Sequence, residues 1–213
     1  MNSQLWWYTA RAGGLVGWAL LAASVLWGLA LSTKAFGPKP RPNWMLDLHR
    51  FLGGAAVVFT VIHVLAIVLD SYVHFGLSEV LVPLASHWHP VAVAWGIVGA
   101  YLLAAVEVTS LLRKRLSKRA WRMTHFLSFP LYVVGTIHMI SAGTDGTSSP
   151  VLFAAIASSV FIVALTVDRI RRAVADRVAG PGAPRVPQRV QLPITAAAAP
   201  PEPSRVPVHT VSH

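Results

Sequence analysis

An all-α integral membrane protein, a five-helix transmembrane bundle, is the fold class that three observations predict. Of 213 residues, 54% are hydrophobic and only 12% charged, about half the roughly 25% charged share of an average soluble domain. Mean hydropathy is +0.57. Five continuously apolar runs approach the length of about 20 residues that a helix needs to cross a bilayer core. The basic residues, finally, gather in the connections between those runs. The continuity of the runs excludes a closed β-barrel, whose strands alternate polar and apolar residues.

The spans are read at 13–32, 46–69, 90–112, 122–141 and 150–168. Gly, Pro or charge bounds each one, with Pro38, Pro40, Pro42, Pro90 and Pro150 in the turns before the second, third and fifth. The domain layout is therefore an outer N-terminal segment 1–12, a transmembrane body 13–168, a basic juxtamembrane segment 169–179 and a tail 180–213. Trp6, Trp7 and Tyr8 in the first segment read as an outer aromatic belt. A cleaved signal peptide is the rival for the first span. Its apolar stretch is long for that role, and only Arg11 precedes it as a basic residue. The tail is rich in Pro and Ala and shows no apolar periodicity, so disorder is expected.

Orientation follows from charge. Lys34, Lys39 and Arg41 lie before span two. Arg113, Lys114, Arg115, Lys118, Arg119 and Arg122 lie between spans three and four, and Arg169, Arg171, Arg172 and Arg177 follow span five. The 70–89 and 142–149 connections carry no Lys or Arg. The positive-inside rule puts the N-terminus outside and the C-terminus in the cytoplasm, as expected of a multi-pass protein of the cell membrane. The net charge of +10 is thus a topology signal, and no nucleic-acid partner is expected. The absence of cysteine excludes disulfides, thiolate zinc, iron–sulfur clusters and a cysteine nucleophile. Dinucleotide and P-loop fingerprints are absent as well.

Four of the nine histidines fall inside spans: His49 and His63 in the second, His125 and His138 in the fourth. Ionisable groups within a bilayer are costly and usually face the bundle interior, which makes them functional candidates. The two spans run in the same direction. Spacings of 14 and 13 residues give axial separations of roughly 20 Å in each, so two histidine pairs stand at matching depths. A b-type haem needs two imidazoles on opposite sides of one iron, and facing helices of a bundle supply that arrangement. Rotation is less simple. At about 100° per residue, 14 steps return to within roughly 40° of the same face, whereas 13 steps miss by roughly 140°. A kink at Pro130 or a local change of winding is expected to re-phase the fourth span. Gly53, Gly54 and Gly135, close to the histidines, are expected to leave room for a porphyrin face.

The sequence L-H-R-F-L-G at 48–53, followed by His63 and by a basic connection leading to His125 and His138, resembles the ferric reductase-like transmembrane domain. That superfamily includes ferric reductases, NADPH oxidases and the haem-binding membrane subunit of bacterial methionine-sulfoxide reductase systems. The resemblance covers about residues 10–168. It implies two b haems, one on His49 and His125 near the cytoplasm and one on His63 and His138 near the outside, with electrons passing outward. The larger members carry cytoplasmic flavin and nicotinamide domains and often a sixth span, neither of which is seen here. The expected donor is a separate flavoprotein or a quinol, and the expected acceptor lies at the outer face. The positive 113–122 connection offers a dock for an acidic partner surface.

Arg50 beside His49 is a candidate for a haem propionate, by the match of guanidinium to carboxylate; its alternative is an interfacial cation paired with Asp47. Arg122 has the same two readings. His87 and His89 in S-H-W-H-P suit either a metal or, preferably, an interface anchored by Trp88. Glu107 is read as a partner of the basic cluster or, less directly, a proton-transfer group. Two other functions stand beside the ferric reductase-like one: an electron-relay subunit for an outer-face reductase, and a His-lined proton or metal transporter without haem. Matched depths argue against the second, because a conduction path needs no cross-helix pairs.

Overall fold

The computed structural model describes residues 3–33, 42–70 and 75–178. Lys34, Lys39, Arg41, His74 and the tail 180–213 lie outside the described residues. All regular structure among the described residues is helical: α1 Ser3–Ser32, α2 Asn43–Leu69, α3 Leu77–Leu81, α4 Pro90–Leu111, α5 Lys118–His125, α6 Ser128–Ala142 and α7 Ser149–Val178. Five stretches are long and apolar enough to cross a membrane, with α5 and α6 together forming the fourth, Lys118–Ala142. Two units are distinguished, Met1–Ala173 and Val174–His213. All packing below belongs to the first, and of the second only residues 174–178, the end of α7, are described.

One element differs from expectation, and a second makes an expectation specific. The first helix begins at Ser3, not near residue 13, so most of the expected outer segment 1–12 is helical. Arg11 precedes the apolar run in the sequence. Its guanidinium donates to both carboxylate oxygens of Asp145, Nε to Oδ2 at 3.0 Å and Nη2 to Oδ1, and lies over the Trp7 ring at 4.1 Å. A charge paired in this way need not end a helix.

The fourth span is broken, and the break lies just before Pro130. α5 ends at His125 and α6 starts at Ser128. Proline has no N–H, and its ring crowds the carbonyl four residues back, here that of Phe126. The Phe126 carbonyl accepts instead from Phe129 N at 3.2 Å, and Leu127 N donates to Thr124 O at 3.0 Å. These three-residue bonds wind the chain more tightly than an α-helix. The change of winding lies at Phe126 and Leu127, where about 120° per residue against about 100° supplies roughly 40° of the phase difference that the 13-residue spacing leaves.

α1 packs along α2, α4 along α6, and α1 also against α6. In a membrane, close approach of small residues and interhelical hydrogen bonds hold helices together. A Cβ on Gly13 would lie 3.3 Å from His63 N, and one on Gly17 would lie 3.4 Å from Thr60 Oγ1, so the backbones of α1 and α2 nearly touch. Ala22, Val25 and Leu29 of α1 form a buried cluster with Tyr132 of α6 and Ile162 of α7. The Tyr132 hydroxyl is within hydrogen-bond distance of Ser158 Oγ (2.7 Å) and Ser159 Oγ (3.0 Å), tying α7 to the bundle. Val58, Val61 and Leu65 of α2 and Phe153, Ile156 and Phe161 of α7 are exposed. Apolar side chains pointing outward are what lipid contact requires.

Candidate functional site

The continuous α2 returns to nearly the same face after 14 residues, so His49 and His63 point into the bundle one above the other. His125 and His138, on either side of the winding change before Pro130, face them. The structure joins His49 with His125, ring centres 6.0 Å apart and planes crossed at 78°. It joins His63 with His138 at 6.2 Å and 75°.

Hydrogen bonds aim the rings. His63 Nδ1–H donates to Ala10 O at 2.7 Å and His138 Nδ1–H to Ala92 O at 2.8 Å. His49 Nδ1 bonds Ser24 O at 3.1 Å and lies 3.3 Å from Ser24 Oγ. A carbonyl only accepts, so in each neutral ring the proton is on Nδ1 and the Nε2 lone pair is left free. Holding one ring nitrogen while presenting the other is how metal-binding histidines are usually oriented. His125 is held less firmly, with Ser110 Oγ 3.5 Å from Nδ1. It also stacks on Trp121, ring centres 5.0 Å apart and 20° between planes.

Glycines on neighbouring helices make room for these rings. A Cβ on Gly14 would lie 2.9 Å from His63 Nδ1, one on Gly28 3.0 Å from His49 Cε1, and one on Gly96 2.6 Å from His138 Cε1. Sequence reasoning missed all three. Gly14 and Gly28 are 14 residues apart on α1, the same interval as His49 and His63 on the antiparallel α2, and that matching interval was the available signal. The glycines singled out earlier do other things. Gly53 faces Glu107, Gly54 meets nothing within 4 Å, and Gly135 rests on Leu21. A cavity of about 300 Å³ surrounds the His63–His138 pair, lined by Gly14, Trp18, His63, Gly96, Leu131 and His138 among others, with Arg11 and Asp145 also on its wall.

The secondary candidates are placed as follows. Arg50 donates to Asp47 Oδ1 at 3.1 Å in an exposed pair. Arg122 is exposed. Glu107 makes none of the ion pairs of the described residues; its carboxylate lies against Gly53, where a Cβ would meet Oε1 at 2.5 Å. His87 is exposed, and His89 caps α4 in a left-handed backbone conformation, φ 42°, with its ring 4.4 Å from that of Trp88. Among the described residues no three His, Asp or Glu side chains converge as a metal cage.

Fold and site define a multi-pass helical membrane protein with two cross-helix histidine pairs stacked along its axis. Its sequence matches the family model described as ferric reductase like transmembrane component over residues 13–136, more than half of the chain. The chain belongs to that family. His49, His63 and His125 lie within the matched stretch and His138 two residues beyond it. No match is found among curated proteins or among solved structures. Membership points to a membrane oxidoreductase component, of a family whose domains typically bind haem.

Proposed function

We propose that the chain is a dihaem cytochrome b of the cell membrane. It carries electrons from a cytoplasmic donor, a separate flavoprotein or a quinol, to an acceptor at the outer face. The observation that carries this reading is the spacing within each histidine pair. Two imidazoles that bind one metal ion from opposite sides, each through a nitrogen about 2 Å from it, put their ring centres roughly 6 Å apart. The pairs stand at 6.0 and 6.2 Å. The donor set fits haem chemically too: each pair offers two neutral imidazoles, and a porphyrin brings the remaining in-plane nitrogens that a bare ion would have to find in the protein.

His49 and His125 would hold the inner haem, and His63 and His138 the outer. A bound haem supplies one-electron chemistry that no side chain of this chain offers. The chain's own residues orient and enclose. Ala10 and Ala92 fix the outer rings through their carbonyls and Ser24 fixes His49. Gly14, Gly28 and Gly96 let the rings lie against neighbouring helices. Arg50, beside His49 at the cytoplasmic edge, is a cation for an inner haem carboxylate, since its present partner Asp47 is itself exposed. The basic 113–122 connection receives an acidic face of the donor.

The test is the visible spectrum of the purified chain, oxidised and reduced, with the haem-to-protein ratio. Low-spin spectra and about two haems per chain are expected from two bis-imidazole sites. A colourless, folded preparation from haem-replete cells contradicts the proposal.

A further inference from the structure

Trp121 Nε1 is a buried side-chain polar atom without a hydrogen-bond partner among the described residues. Leaving a buried N–H unpaired costs about 1–3 kcal/mol, and native structures rarely do so without a reason. Other indoles of this bundle are satisfied: Trp18 Nε1 donates to Thr136 Oγ1 at 3.0 Å and Trp27 Nε1 to Met45 O at 2.8 Å.

The surroundings of Trp121 indicate what acceptor is missing. Trp121 lies one turn before His125 on α5 and stacks on its ring, and His125 in turn faces His49. The guanidinium of Arg113 lies over the indole, 4.6 Å from the ring centre. Arg113 takes part in none of the ion pairs of the described residues. An unfilled N–H donor with an unpaired cation beside it favours an anionic oxygen acceptor, because such bonds are about twice as strong as neutral ones. A group held between His49 and His125 would lie beside both.

We infer that Trp121 Nε1–H and the Arg113 guanidinium anchor a carboxylate of the macrocycle held by His49 and His125. The inference rests on the dihaem reading. Anchoring fixes the rotation of the macrocycle about the line between its two axial histidines. It also offsets a negative charge beside the inner iron, which favours the reduced state. Near the His63–His138 pair Arg11 also lies over an indole, that of Trp7, but its guanidinium is already paired with Asp145.

The experiment uses the full chain, purified with its haems, and reads both midpoint potentials together with the propionate bands in the resonance Raman spectrum. Trp121→Phe keeps the ring and its stacking but loses the donor. Arg113→Gln loses the cation at an exposed position. Each is expected to retain two haems, lower the potential of the inner centre, leave the outer one unchanged and shift the inner propionate bands. An Arg113 that touched no carboxylate would still shift the inner potential through its field, but its loss would leave the propionate bands in place. Two haems with all propionate bands unchanged in Arg113→Gln and in Trp121→Phe would overturn the anchoring. Should Trp121→Phe fail to fold, Arg113→Gln alone decides. Failure of the dihaem reading is seen separately, in the unmutated chain, as a missing inner centre.

Discussion

The two histidine pairs are built to the same separation but are not held alike. In the His63–His138 pair, the outer one of the proposed orientation, both rings bond to backbone carbonyls of other helices, at 2.7 and 2.8 Å, and a cavity surrounds them. In the His49–His125 pair, the inner one of that orientation, His49 has one carbonyl at 3.1 Å, and His125 has only a hydroxyl at 3.5 Å and a stacked indole. Backbone carbonyls are fixed by the helices that carry them, whereas a hydroxyl or an indole moves with its own rotamer. The outer site is therefore the rigid one and the inner site the adjustable one.

Substituting the glycines that seat the rings gives the largest expected difference. In Gly96→Ala the new methyl would stand 2.6 Å from His138 Cε1, and a ring bonded to Ala92 O cannot retreat without losing that bond. Overpacking of this kind costs about 1–3 kcal/mol, or roughly 5- to 150-fold weaker retention of the outer haem. Gly28→Ala brings a methyl to 3.0 Å from His49, whose looser bonds let the ring turn aside, so the inner haem should lose less. Haem release from each variant, followed optically during dialysis against apomyoglobin, checks this order. A greater loss in Gly28→Ala would reverse the assignment of rigid and adjustable sites.

A smaller effect is expected from acid. The hydrogen bonds from Arg11 hold the Asp145 carboxyl below the usual range for aspartate. A depressed carboxylate stabilises the folded form above its unfolded-state value, and the contribution is lost as pH falls through the folded value. Acidification below the ordinary carboxylate range should therefore loosen the outer end of the bundle and leave the inner pair unchanged. The pair is accessible to solvent, so the change is small and screened by salt. The absorbance of the outer centre across an acid titration checks it, and Asp145→Asn should flatten the response.

Much of this architecture was legible in the sequence. Length and hydropathy alone mark a membrane helix, so the five spans could be read directly. Depth follows from residue count, so His49 could be matched with His125 and His63 with His138. Azimuth does not follow from residue count when a proline intervenes. The spacing of His125 and His138 showed that the helix had to be re-phased, but not that the change would fall at Phe126 and Leu127. The start of α1 was hidden because the ion pair that permits it joins residues 11 and 145. Gly14, Gly28 and Gly96 were missed for a similar reason. A glycine's local sequence does not say which neighbouring helix it faces.

The most direct test of the account is potentiometric titration of four single variants, His49→Ala, His125→Ala, His63→Ala and His138→Ala, each shown to be folded and membrane-inserted. Two axial ligands must reach one iron, whereas His49 and His63 stand roughly 20 Å apart along the helix axis. The expected result is two classes. His49→Ala and His125→Ala each lose the same centre, His63→Ala and His138→Ala each lose the other, and the centre that remains keeps its potential. Loss of one and the same centre in His49→Ala and His63→Ala, with both variants folded, would contradict depth-matched pairing and the account built on it.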